Sequence, residues 1–253
     1  MQIGGRDVGT VANALFERRH YHAALNMMRL YKEPAAMFRR YLTGRGDYPY
    51  ICQVKTPSGW LDLHLFTPHD VLTVNEIFCR EDYRAEAGDN VIVDFGSNIG
   101  ISAAYFLSRG PNVRAYLFEP LPANIERLQT NLARFRDRYT LEQVAVGPVD
   151  GEVEFGWEET GRYGGVGAAT GRTITVKSRN STTVLEEVIA RHGQIDVLKV
   201  DIEGLEDAVV AGIPQSLARH IRKIYVECVF DVNPLTDTHS LTRYGAISQF
   251  VRR

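Results

Sequence analysis

From Asp89 onward the chain alternates short, wholly apolar runs with helical segments, a rhythm that few architectures accommodate. Val91-Ile92-Val93 has no polar position, which is the mark of a strand covered on both faces. Glycines follow, then a helix over Ile101 to Leu107 closed by Gly110-Pro111. Val113 to Phe118 is a second strand, and Pro120 and Pro122 announce a helix with Ile125, Leu128, Leu132 and Phe135 at helical spacing. Leu141 to Val146 reads as a third strand. Asp150-Gly151 then turns into a hairpin, Glu152 to Phe155 with Thr173 to Val176, around a loop from Glu158 to Arg172. Thr183 and Glu186 are placed to cap another helix. Ile195 to Val200 and Ile224 to Phe230 are further buried strands, with a helix between them that Gly212 and Pro214 should end. The pattern predicts an α/β fold with a doubly wound, mostly parallel sheet.

The front of the chain differs. Residues 1 to about 47 read as helical, with Val11, Leu15, Leu25 and Met28 near one face and Pro34 breaking the run into two helices. This stretch holds eight basic residues against four acidic ones, a solvated helix face or else a cap over an anionic or sugar-containing substrate. Tyr50 to Phe66 looks like a β-hairpin turning at Pro57-Ser58-Gly59, and Thr73 to Glu76 has the pattern of a capping box. We therefore expect an accessory part over residues 1–69 and a main domain over 70–253.

Composition removes several functions. Among 253 residues, 29 basic and 31 acidic side chains leave a net charge of -2, so binding nucleic acid through bulk electrostatics is disfavoured. No apolar run approaches the ~18 residues of a membrane span, and residues 1–19 lack the apolar core of a secretion signal. Cys52, Cys79 and Cys228 have no metal or redox spacing, and reduced thiols in a cytoplasmic protein are the simplest expectation.

In an open parallel sheet the ligand binds beyond the carboxyl ends of the strands. The first strand ends in Asp94-Phe95-Gly96-Ser97-Asn98-Ile99-Gly100, where Gly96 and Gly100 let backbone approach a ligand closely. Asn98 stands where a dinucleotide fingerprint has its middle glycine, and Asp94 repels phosphate but suits an ammonium or sulfonium. The second strand ends in Glu119-Pro120, 19 positions after Gly100, where a carboxylate accepts hydrogen bonds from ribose hydroxyls. Gln143-Val144-Ala145 is placed to flank an adenine. Acidic groups around an adenosine-shaped site point to S-adenosylmethionine rather than ATP or NAD.

Val91 to Tyr105 (VIVDFGSNIGISAAY), Phe118 to Asn131 (FEPLPANIERLQTN), Val144 to Gly151 (VAVGPVDG) and Leu198 to Glu206 (LKVDIEGLE), in this order, resemble the FkbM-type methyltransferases. The resemblance, from about Asp70 to Glu227, implies a class I, Rossmann-like, S-adenosylmethionine-dependent enzyme of a kind that mostly O-methylates sugars and other natural products. It implies that Asp94, Gly96, Ser97, Asn98 and Gly100 line the methionine part of the cofactor. Glu119 and Pro120 would hold ribose, with Asn124, Gln143, Val144 and Ala145 near the adenosine. Tyr163-Gly164-Gly165 carries over as a position only. After Phe230 just 23 residues remain, whereas a helix and two strands with loops need roughly 35. The last sheet edge is therefore expected to be incomplete, or supplied by the hairpin of residues 50–66 or another subunit.

The fourth strand ends Lys199-Val200-Asp201-Ile202-Glu203, and alternation turns Lys199, Asp201 and Glu203 the same way. Lys199 needs a buried partner, for which Glu227 is the candidate. Asp201 or Glu203 would take the proton of an acceptor hydroxyl, with Lys199 tuning it; alternatively Asp201 binds the cofactor's ammonium. A metal-assisted route is the alternative, in which the two acids hold Mg²⁺; no third acid stands at a convincing position and the histidines lack ligand spacing, so no metal ligands are assigned. His64 and His69 are the remaining candidate bases. The leading function is an O-methyltransferase acting on a hydroxyl of a saccharide or glycosylated natural product, with a homo-oligomer possible; the alternative within the enzyme class is an Mg²⁺-assisted O-methyltransferase of another small-molecule acceptor. A non-catalytic nucleoside-binding module and an NAD-linked oxidoreductase are the competitors.

Overall fold

The computed structural model describes residues 2–3, 6–7, 18–158, 164–168 and 171–253. The chain forms two compact units, Met1–Arg84 and Ala85–Arg253.

The first unit opens with two-residue strands, β1 (Gln2–Ile3) and β2 (Arg6–Asp7), paired antiparallel where a helix was expected. Gly4-Gly5, the poorest helix formers short of proline, stand between them in the sequence. Val11 and Leu15 lie outside the described residues. Helices α1 (Arg18–Leu30) and α2 (Pro34–Thr43) follow, with Pro34 in the first turn of α2 as its fixed φ requires. Leu25 and Met28 are not core residues: they are exposed, and α1 buries Ala23 and Met27 on another face. Strands β3 (Tyr50–Thr56) and β4 (Gly59–Leu65) pair in register from Tyr50–Leu65 to Thr56–Gly59, which places Pro57-Ser58 at the turn. Helix α3 (Pro68–Val74) runs into a π turn, Asn75–Cys79. Its capping box lies earlier than the sequence suggests. Asp70 accepts from the Thr67 backbone N–H at 2.9 Å and from its hydroxyl at 3.0 Å, leaving Thr73 inside the helix.

The second unit carries the alternating pattern. Its elements are β5 (Val91–Phe95), α4 (Ile101–Leu107), β6 (Arg114–Phe118), α5 (Pro122–Asn131), a 3₁₀ stretch (Ala133–Arg138) and β7 (Tyr139–Glu142). Four strands leave the main sheet: β8 (Ala145–Gly147), β9 (Gly151–Trp157), β10 (Gly164–Val166) and β11 (Arg172–Asn180). The chain returns through α6 (Ser181–His192), β12 (Ile195–Val200), α7 (Glu206–Ala211), α8 (Gln215–Ala218) and β13 (Ile221–Val226), and ends in β14 (His239–Tyr244) and β15 (Ile247–Arg252).

The main sheet has the order β14-β15-β13-β12-β5-β6-β7, parallel from β13 to β7. Strand β15 inserts antiparallel beside β13, and β14 pairs with it as a hairpin. This corrects the expectation of an incomplete edge. No helix separates β13 from β14, so the residue count based on one was too large. Strands β5 and β12 are buried at every position. Asp196 Oδ2 accepts from the Asn90 and Val91 N–H groups and Lys223 Nζ lies 2.9 Å from Asp89, tying the amino ends of the central strands together.

The expected third strand divides at Gln143-Val144. Its first part is β7, while Ala145–Gly147 pairs parallel with β11 in a second sheet of order β10-β9-β11-β8. The expected hairpin is β9 with β11, in register Gly156–Thr173 and Val153–Val176. The cap of α6 is Asn180, whose Oδ1 accepts from the Thr183 N–H, rather than Thr183 itself.

Candidate functional site

Strand β5 delivers its last residues to the carboxyl edge of the sheet, and the loop 96–100 turns sharply there. Gly96, Asn98 and Gly100 all have positive φ (80°, 47° and 82°), which glycine takes freely and asparagine tolerates. The turn at Gly96 is forced by its neighbour: a Cβ there would lie 1.8 Å from the carbonyl oxygen of Asp201. The ends of β5 and β12 therefore touch backbone to backbone.

The loop's N–H groups are consumed internally. Gly96 and Ser97 donate to the Phe118 carbonyl, Ile99 to Asn98 Oδ1 and Gly100 to the Ser97 carbonyl, and Asn98 donates to Glu119 Oε2 at 2.9 Å. A pyrophosphate cradle needs such groups free and pointing at the ligand. This loop instead presents a carboxylate. Glu119 is buried, and its Oε1 accepts from the Leu121 N–H at 3.0 Å and Asn124 Nδ2 at 3.2 Å. Burial pushes its pKa up to about 7 against the pull of those three donors. A buried acceptor at the edge of a parallel sheet matches the hydroxyl donors of a ribose. Pro120 is buried behind it, and Ser97 accepts from the Phe118 N–H and donates to the Asp94 carbonyl.

A second cluster joins β5 to β12. Lys199 is 2% exposed, and its Nζ lies 3.0 Å from Asp94 Oδ1, 3.0 Å from the Gly96 carbonyl and 3.2 Å from Asp201 Oδ2. Burial pushes this ammonium down, but the charges and hydrogen bonds of Asp201 and Asp94 outweigh it and hold Lys199 above its ordinary value. Asp94 is fully enclosed, with Ser102 Oγ donating to its other oxygen at 2.5 Å. Asp201 is different, with 27% of its side chain exposed. Of the two carboxylates on Lys199, Asp201 is the one that reaches solvent.

Lys199 is thus paired with Asp94 and Asp201, and Glu227 lies exposed beyond the end of β13. Strand alternation does not carry to Glu203. β12 stops at Val200, and Glu203 is exposed with a φ of 57°. The 202–204 loop is clamped by Glu206, a residue the sequence reading passed over: its Oε1 accepts from the Ile202 N–H and its Oε2 from the Gly204 N–H. An acid in the first turn of a helix directly after a glycine loop is the signal for it.

The site thus brings Asn98, Glu119 and Asn124 together in one group, and Asp94, Lys199 and Asp201 in another, with Gly96 between them. A Cβ on Gly100 would meet Leu128 at 3.0 Å and Leu132 at 3.3 Å. Val144 and Ala145 are buried between the two sheets, and Gln143 is exposed. Among the described residues no three His, Cys, Asp or Glu side chains gather into a metal-binding group, and no helix is long and apolar enough to cross a membrane.

The sheet is parallel from β13 to β7, only β15 runs reversed between β13 and the edge strand β14, and acids stand at the carboxyl ends of β5, β6 and β12: an open α/β sheet with an acidic ligand edge. The family model for the methyltransferase FkbM domain matches residues 94–241, more than half of the chain, and the chain belongs to that family. It carries a methyltransferase domain. Among curated proteins it is similar to AMB antimetabolite synthetase AmbE of Pseudomonas aeruginosa, 25% identical across 78% of this chain and 11% of that protein. It is 28% identical to 2-O-methyltransferase NoeI of Sinorhizobium fredii across 56% of this chain and 64% of the other. It is 27% identical to 31-O-demethyl-FK506 methyltransferase FkbM of Streptomyces tacrolimicus across 71% of this chain and 82% of the other. The chain thus spans about a tenth of the first relative and less than two thirds of the second.

Proposed function

We propose that this domain moves a methyl group to a hydroxyl of a saccharide or glycosylated natural product, with Asp201 taking the hydroxyl proton. The carrying observation is the asymmetry of the Lys199 cluster, in which Asp94 is sealed and Asp201 opens to solvent. The names of two relatives, a 2-O-methyltransferase and a 31-O-demethyl-FK506 methyltransferase, support oxygen as the acceptor atom.

When bound, S-adenosylmethionine supplies an electrophilic methyl on a sulfonium, so the protein's work is alignment and proton removal. Glu119 accepts from the ribose hydroxyls, assisted by the Asn98 and Asn124 contacts that fix its orientation. Asp94 acts as a positioning residue, holding Lys199, which in turn holds Asp201 at the mouth. As the acceptor oxygen forms its bond to carbon, Asp201 receives the proton that leaves it. A positioned base contributes roughly 10²- to 10⁴-fold and alignment ~7 kcal/mol or more. The reduced thiols Cys52, Cys79 and Cys228 suit a cytoplasmic setting.

The test is Asp201→Asn. We expect turnover on a glycoside acceptor to fall about 100-fold or more while affinity for S-adenosylhomocysteine is retained. Unchanged turnover would assign the base elsewhere, and lost cofactor affinity would place Asp201 on the cofactor's ammonium instead.

A further inference from the structure

Strand β12 stops at Val200, yet Asp201 is held firmly just beyond it. Its N–H donates to the Phe95 carbonyl at 3.1 Å, its own carbonyl lies against Gly96, and its side chain meets Lys199. The chain then turns at Glu203, whose φ of 57° is a left-handed conformation that a residue with a Cβ adopts at a cost. Such a turn persists where its surroundings hold it. Glu206 does so from one side, through the Ile202 and Gly204 N–H groups.

The other side is closed by β10. A Cβ on Gly165 would lie 2.3 Å from the Glu203 carbonyl oxygen and 3.2 Å from the Glu203 Cβ, so strand and loop touch backbone to backbone. Alternation turns the preceding residue to the opposite face, where a Cβ on Gly164 would strike the Phe155 ring at 2.6 Å. Phe155 packs in turn on Leu121, Ala145 and Val176.

β10 is thus a three-residue strand at the sheet edge, paired with β9, whose first two residues carry no side chain. Consecutive glycines weaken a strand, and glycine inside one marks the close approach of another backbone. Here the bare strand fills the gap between a packed aromatic ring and the loop that follows Asp201.

We infer that Gly165 is a positioning residue for methyl transfer: β10 is a spacer that holds the Glu203 peptide in place and so sets where Asp201 stands at the mouth. This rests on the reading of Asp201 as the base. It gives the inserted sheet a part in the reaction that requires no contact with acceptor or cofactor.

Wild type, Gly165→Ala, Asp201→Asn and the double variant are compared for kcat and acceptor KM with methyl glycosides, and for S-adenosylhomocysteine affinity by calorimetry. A methyl on Gly165 must move about 1 Å to reach ordinary contact distance from the Glu203 carbonyl. A displacement of that size at the base should lower kcat about 10- to 100-fold, with acceptor KM and S-adenosylhomocysteine affinity unchanged. Because Gly165 acts through Asp201, the double variant should turn over no more slowly than Asp201→Asn alone. Phe155→Leu loosens the spacer from its other face by removing a ring edge instead of adding a methyl. It should lower kcat severalfold with the same lack of additivity, and it decides the matter if Gly165→Ala does not fold. An unchanged kcat in Gly165→Ala, losses that multiply in the double variant, or a fall in cofactor affinity matching that in kcat would overturn the inference and leave Asp201 as the base. An unchanged kcat in Asp201→Asn would instead refute the base reading, and absence of transfer by wild type the saccharide reading; the inference falls with either.

Discussion

With Glu119 as the proposed ribose acceptor, cofactor affinity should depend on pH in one direction. The Glu119 carboxyl group is enclosed, and burial raises its pKa to about 7 in the ligand-free protein. Ribose hydroxyls donate to the ionised form, so binding lowers that value and releases a proton. Affinity is then full above pH 7 and declines as pH falls below it. With a group titrating near 7, the apparent Kd scales as one plus the ratio of protonated to ionised carboxyl, a factor of about 1.1 at pH 8 and about 11 at pH 6. The ligand to use is 5′-methylthioadenosine, which keeps the nucleoside and lacks the amino-acid part whose own ionisation would confuse the result. Calorimetry at pH 6, 7 and 8, in buffers of differing ionisation enthalpy, should show about tenfold weakening from pH 8 to 6 with proton release. Glu119→Gln should bind roughly 10- to 100-fold more weakly, as expected for losing hydrogen bonds to a charged group, and without the slope. A flat wild-type profile, or a slope that survives in Glu119→Gln, would refute the reasoning.

Three other substitutions probe the scaffold. Gly96→Ala sets a Cβ 1.8 Å from the Asp201 carbonyl at a φ of 80°, so it should cost about 2 kcal/mol or more in a denaturant melt and reduce turnover. Asp94→Asn removes one of two charges from a buried lysine and should cost about 3 kcal/mol, read as a lowered thermal midpoint; a wild-type midpoint would contradict the pairing. Glu206→Ala leaves the Ile202 and Gly204 N–H groups without their acceptor, costing roughly 1–3 kcal/mol. It should lower kcat more than cofactor affinity, since the loop it clamps follows Asp201.

The parts of the site readable in the sequence are those set by local chemistry. An apolar strand followed by Gly96 and Gly100 and a helix leaves little freedom for the turn, and Glu119 follows at the end of the next strand. Partners that depend on strand order were not readable. Lys199 sits in register with Asp94 on β5 and Tyr225 on β13, and nothing local shows that β5 is a neighbour. Glu227, one residue beyond β13, looked central only because the strand was drawn too long. The C-terminal edge was misjudged for a related reason. A helix was assumed after β13, whereas residues 227–238 cross to β14 through turns that bury Leu235. In α1, helical spacing picked out Leu25 and Met28, but spacing defines a stripe and not which stripe is covered.

The destination of the methyl group and the carboxylate that takes the proton can be tested in one experiment. Incubating the protein with S-adenosylmethionine carrying a carbon-labelled methyl and a glycoside acceptor, then locating the label by NMR, answers both when Asp201→Asn is run alongside. The expected result is a label on a sugar oxygen in the wild-type reaction and about 100-fold less of it in the variant, with S-adenosylhomocysteine still bound. A label on nitrogen or carbon, or equal labelling by the two proteins, would contradict the account.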